Sequence, residues 1–180
     1  MKMDKGMDTG PIYRLFPCEI TKTETGDSLH HKLASLGISA TIACLAEIDA
    51  LKSLPQNPAR ASYAPKLTSK ESLLDWNMDA ESLDRQVRAL FSRQPAYSFI
   101  DGERLRILSA EPVADEPPTG LAPGTIISAT KSGCRVQTGR GLLNLLSIQL
   151  NRGKGKAMPF SAALNGHPQL FTKGSFTNGE

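Results

Sequence analysis

A chain of 180 residues with 39% hydrophobic and 22% charged side chains has enough apolar material for one sizeable core or two small ones, which argues against a largely disordered polypeptide. No apolar run approaches the roughly 20 residues that cross a bilayer, and Met1-Lys-Met-Asp-Lys5 lacks the apolar core of a secretion signal, so a cytoplasmic protein is expected. The net charge of +3 hides an asymmetry. Residues 119–180 carry seven Lys/Arg (Lys131, Arg135, Arg140, Arg152, Lys154, Lys156 and Lys173) against one acid, Glu180, whereas residues 61–118 carry seven basic and ten acidic side chains. Such a layout either solubilises a barrel or builds a face that meets a polyanion, and the flexible run Arg152-Gly-Lys-Gly-Lys156 after an apolar stretch favours the second.

The first motif along the chain is Gly6-Met-Asp-Thr-Gly10, where two glycines permit a tight turn and leave Asp8 at its tip. Ile12–Ile20 has an imperfect strand pattern that Pro17 keeps off the centre of a sheet. Asp27 is positioned to cap a helix through Leu29, Leu33 and Leu36 that ends at Gly37, and Ser39 to open a second through Ile42, Leu45, Ile48 and Leu51. Two apolar helical stripes require a platform, and one weak strand is not enough. Residues 55–75 are punctuated by Pro55, Pro58 and Pro65 and read as a connector, followed by a helix capped by Asp79 with Leu83, Val87 and Leu90 on one face.

The period then changes to two. Tyr97–Ile100 and Leu105–Ser109 flank Asp101-Gly102, a hairpin signal, and Pro112, Pro117, Pro118 and Pro123 mark a crossing. Strands are expected at Thr125–Ala129, Cys134–Thr138 and Leu142–Ile148, and a last helix from Pro159 through Leu164, stopped at Gly166. Five short strands with glycine turns fit a small closed barrel, which spares the chain exposed edges.

Groups with chemical potential are few. Asp8 either acts as a base or orienting carboxylate, or is a turn aspartate bonded to its own backbone. Cys18, Cys44 and Cys134 lie far apart in apolar stretches and are read as reduced; with only His30, His31 and His167 besides, no metal site is expected. Trp76 is either a stacking platform or the anchor of the connector, and as a lone tryptophan the anchor is favoured. The barrel's charges do not alternate with aromatics in any obvious way, so phosphate contact is the expected mode of nucleic-acid binding.

Several segments, taken in order, resemble methionyl-tRNA formyltransferases: Met3–Gly10, Thr25–Leu33, Tyr63-Ala-Pro-Lys-Leu67, Asp75-Trp76, Pro123-Gly-Thr-Ile126 and Gly139–Gln149. The resemblance runs from Met3 to about Phe171. It implies an α+β fold in which residues 1–55 are the rear fragment of a Rossmann-like (α/β) catalytic domain, 56–95 a linker with its helix, and 96–180 an OB-like barrel associated with tRNA. The family transfers the formyl group of 10-formyltetrahydrofolate to the amino group of methionyl initiator tRNA in translation initiation. Of its Asn, His and Asp trio, this sequence holds only the Asp, as Asp8; the Ser-Leu-Leu-Pro loop is also absent, and Ser92-Arg-Gln-Pro95 stands where the family has Asn-Pro-Trp-Pro.

The expectation is therefore a fragment that docks initiator tRNA through Lys66, Arg135, Arg140, Arg152, Lys154 and Lys156. Lys66 corresponds to the family's linker lysine, though it also reads as a solvated turn lysine. No folate is expected to bind the fragment alone. A catalytic half on a separate polypeptide, or self-association, would cover the helical stripes; a structural or regulatory module that binds no nucleic acid is the other reading.

Overall fold

The computed structural model describes residues 1–90, 94–114, 120–151, 155–172 and 174–177. The chain divides into two compact units, residues 1–24 with 28–66, and residues 25–27 with 67–180. In the first, the dominant element is one helix, α1 (Gly26–Ala46). Two expectations are corrected here. Gly37 does not end a helix: it lies inside α1, its carbonyl accepting from Thr41 Oγ1 at 2.7 Å, and a solvent-facing helical glycine costs only about 1 kcal/mol relative to alanine, too little to break a helix of this length. Ile12–Ile20 is not a strand either. Only Ile12 pairs, in a bridge with Leu54 whose two backbone hydrogen bonds are each 2.8 Å. With no neighbouring strand to continue the ladder, the remaining residues stay irregular.

The second unit opens with a connector held by local chemistry. Thr68 and Glu71 form a reciprocal capping box. Asp79 caps α2 (Ala80–Leu90), accepting from Ser82 N at 2.9 Å and Ser82 Oγ at 2.8 Å. The expected stripe of Leu83, Val87 and Leu90 is buried, and α2 lies on the sheet against β2 (Glu103–Val113) and β5 (Leu142–Leu150).

The sheet is antiparallel and curled, in the order β3 (Ile126–Thr130), β4 (Gly133–Gln137), β5, β2, β1 (Tyr97–Ile100), β7 (Phe176–Thr177), with β6 (Ala157–Pro159) on β5. Asp101 and Gly102 turn the β1–β2 hairpin with φ of 49° and 75°, the left-handed pair a two-residue turn demands. β5 pairs with β4 along Leu142–Leu145 and with β6 along Ser147–Gln149, while β2 follows its other edge through an irregularity at Ser109 that bends the pair.

The two ends of the sheet are joined by a short contact. β7 pairs with β1, and on its other side Phe176 N donates to Gly124 O at 2.8 Å beside a Thr125–Ser175 bridge. Gly124 has φ of 90°, and a Cβ there would lie 2.1 Å from Phe176 O, so the closure requires glycine. This is the mixed α+β fold with an OB-like barrel that the sequence implies. β6, β7 and the helix α4 (Pro168–Thr172) after α3 (Phe160–Gly166) were not anticipated, being too short to show a period. Phe160 and Phe171 meet edge-on at 4.7 Å and are both buried.

Trp76 is the anchor. It is 1% exposed; Nε1 donates to Ser98 Oγ at 2.9 Å, Ser98 Oγ donates to Thr177 O at 2.9 Å, and the indole stacks obliquely on Phe176 at 5.2 Å. One hydroxyl thus ties the connector, β1 and β7 together.

Candidate nucleic-acid interface

The β4–β5 turn is clamped onto the connector. Gly139 N donates to Trp76 O and Met78 O at 2.8 and 2.9 Å, and Thr138 Oγ1 donates to the carbonyls of Arg140 and Gly141 at 2.9 and 2.8 Å. A Cβ on Gly139 would lie 1.9 Å from Asn77 O, so glycine is required for this approach. The clamp holds Arg140 outward, beside Asp79. The hydroxyl and amide of Ser82, and to a lesser degree Arg140, hold the Asp79 carboxyl below its ordinary range.

Arg135 is the one exposed position of β4, opposite Ser128 on β3 and Asn144 on β5. Lys156 is exposed immediately before β6, whose Ala157 faces Gln149. Continuing that register, Lys156 falls at the level of Leu150, six positions from Asn144 on β5, which at about 3.4 Å per residue separates Arg135 from Lys156 by roughly 20 Å along the strand. Arg152 and Lys154 lie outside the described residues. Lys66 is exposed at the end of the first unit.

Asp8, also in the first unit, is exposed at the tip of its turn with φ of 57°. The turn is tied by Gln56, whose Nε2 donates to the carbonyls of Asp8 and Gly10 at 2.7 and 2.8 Å, and Gly10 sits so close to Lys2 O that a Cβ would be 1.8 Å away. Every residue of 1–66 is described, and none of its apolar side chains is buried, so no apolar wall surrounds this carboxylate. Among the described residues no three His, Cys, Asp or Glu side chains converge as metal ligands, and no helix is long and apolar enough to cross a membrane. Burial pushes the Cys134 thiol up to about 12, which keeps it protonated and unreactive.

The structure corrects one expectation about this surface. Aromatic and cationic side chains do alternate, on the outer face of the first hairpin: Tyr97 faces Arg106 and Phe99 faces Arg104. The guanidinium of Arg104 lies 3.7 Å over the Tyr97 ring, the Tyr97 and Phe99 rings meet edge-on at 5.8 Å, and Arg106 Nη1 donates to Gln149 Oε1 at 3.1 Å. The signal was present in the sequence, since a two-residue turn at Asp101-Gly102 leaves only this register.

A clamped OB-like barrel with cations on its outer strands and turns is an architecture that hosts many unrelated functions. The chain belongs to the family described as formyl transferase, C-terminal domain, whose model matches residues 66–168. Among solved structures it is similar to HypX from Aquifex aeolicus in complex with tetrahydrofolic acid, at 19% identity and a TM-score of 0.65, over 92% of this chain and 29% of that one. An A392F-I419F variant of the same Aquifex aeolicus protein matches at 17% identity and a TM-score of 0.65, over 93% and 30%. At this identity the likeness concerns the fold, and the chain spans less than a third of the protein it matches.

Proposed function

We propose that this chain holds the tRNA-docking portion of a methionyl-tRNA formyltransferase, which places initiator tRNA beside the formyl-transfer centre in the cytoplasm. The observation that carries this reading is the family match, which falls on the barrel unit where the sequence concentrates its positive charge. Arg135, Arg140 and Lys156, with Arg152 and Lys154, engage phosphates, and Lys66 adds a contact from the connector.

The co-substrate of the proposed reaction is 10-formyltetrahydrofolate, and the HypX match, solved with tetrahydrofolic acid, supports a folate link for the family. Acyl transfer needs donors aimed at the developing oxyanion and a group that takes the proton from the attacking amine. Asp8 can orient such a group but, as a carboxylate, cannot donate to an oxyanion. Residues 1–66 offer no buried apolar wall for a pterin ring, so they do not fit the folate by themselves. Leu33, Ile38, Ile42 and Leu45 are all exposed on α1, which supports a catalytic half, or a second copy of this chain, as their cover.

A non-catalytic structural module is the second reading. It is favoured by the acidic neighbour of Arg140, Asp79, which competes with phosphate for that cation. Filter binding of initiator tRNA across a salt series separates the two. If about four phosphates are engaged, the log–log slope lies near −3 to −4, and replacing Arg152, Lys154 and Lys156 together by Ala flattens it by roughly two to three units. An unchanged slope in the triple variant would remove that loop from the interface, and no binding at low salt would favour the structural module.

A further inference from the structure

We propose that the outer face of β1 and β2 is a stacking site for an unpaired base of a nucleic acid, with Phe99 supplying ring surface, Tyr97 holding Arg104 in place, and Arg104 and Arg106 meeting the adjoining phosphates. The proposal rests on the reading that the barrel meets nucleic acid, and adds base contact to what is otherwise phosphate docking. The inward positions of β1, Ser98 and Ile100, are fully buried, so the core does not call for the two rings, which lie on the opposite face and are half-exposed. Outward strand positions are ordinarily polar.

Both guanidiniums are already held in place, Arg104 over Tyr97 and Arg106 on Gln149. They therefore lose less freedom on meeting a phosphate than untethered surface cations would. Phe99 and Arg104 also line an open depression of about 360 Å³ with Gly102, Glu103 and Asn151. That volume lies at the lower end of the roughly 300–1,000 Å³ of small-ligand clefts, suited to one heterocycle and not to a duplex. A ring for the base, Glu103 and Asn151 at its rim as acceptor and amide for a base edge, and arginines for the backbone are the parts a single-strand site combines. An acidic peptide would use the cations but has no need of the rings. The charge and aromatic content together favour the nucleotide.

The test uses the full chain, a fluorescently labelled adenosine hexaribonucleotide, and a labelled RNA duplex as the comparison probe, read by anisotropy. Phe99→Leu, which keeps apolar bulk and removes the ring, is expected to weaken hexanucleotide binding about ten-fold with the salt slope unchanged, and to leave duplex binding as it was. Arg104→Gln is expected to weaken the hexanucleotide and flatten its slope by about one unit. Phe99→Trp is expected to retain binding, with its indole emission quenched as the oligonucleotide is added; Trp76, buried on Ser98, supplies the constant background. Thermal unfolding of each variant at the wild-type midpoint shows that the barrel is intact. Wild-type hexanucleotide affinity in Phe99→Leu, with tRNA binding still present, would overturn the stacking site and leave the docking reading standing. Absence of binding to hexanucleotide, duplex and tRNA alike in the wild-type chain would overturn both.

Discussion

Residues 1–66 and the barrel unit make opposite use of similar apolar material. Among the described residues every buried apolar side chain lies at Leu74 or beyond, whereas Leu15, Phe16, Ile20, Leu33, Ile38, Ile42 and Leu45 are exposed. Composition does not cause this. A helix buries a stripe only against a second layer, and the first unit has a single bridge where a sheet would be needed. The barrel brings its own second layer, α2 on one side and α3 with α4 against the sheet, so its hydrophobic residues find partners within the chain.

The contrast is broken most forcefully by truncation at matched sites. Trp76→Ala removes a fully enclosed indole and leaves the Ser98 hydroxyl without its donor, and is expected to cost about 3–5 kcal/mol in urea unfolding. Ile42→Ala, on the exposed stripe of α1, is expected to change stability by less than about 0.5 kcal/mol in the isolated chain. A comparable loss at both positions would mean that the α1 stripe is covered in solution, by a second copy of the chain, and sedimentation would then report a dimer.

Gly124→Ala sharpens the same comparison within the barrel. The new methyl group would meet Phe176 O and force a positive φ on a non-glycine residue, with an expected loss of more than about 1 kcal/mol. Hydrogen exchange should then quicken first in β7 and β3, the two ends of the sheet that the closure joins. A variant as stable as wild type would show that the Gly124–Phe176 contact does not bear on stability.

The effect at Asp79 is acid-dependent. Asp79 has its carboxyl held below the ordinary value of 3.8, first by the Ser82 hydroxyl, then by the Ser82 amide. Its folded-state pKa is therefore lower than its unfolded one, so the contribution is fully present above the unfolded value and is lost as the pH falls through the folded one. The melting temperature of Asp79→Ala should lie a few degrees below wild type near neutrality, and the gap should close below about pH 3.8. A gap constant down to about pH 2.5 would assign the effect to packing and not to the charged cap.

Much of the barrel was legible because its signals are local. Alternation in Tyr97–Ile100, the Asp101-Gly102 turn, the Gly139-Arg-Gly141 turn and the spacing of Leu83, Val87 and Leu90 behind Asp79 each specify an element within a few residues. The Tyr97–Arg106 and Phe99–Arg104 pairs follow from the same turn by counting, although charge and aromatic content read as averages conceal them. Gly37 misled because a glycine that lacks a tertiary role is a weak stop signal, outweighed by the helical hydrogen bonds on either side.

By itself the sequence determined the α+β class, the hairpin register, the cap of α2 and the concentration of cations after residue 119. Only the tertiary structure decided which cations stand on strands and which on turns, that Trp76 is an anchor, and that the last strand closes the barrel through Gly124. The reason is the range of the interactions. Periodicity and turn chemistry act over a few neighbouring residues, whereas Ser98 meets Thr177 across 79 positions, a pairing that exists only once the chain has packed around a shared core.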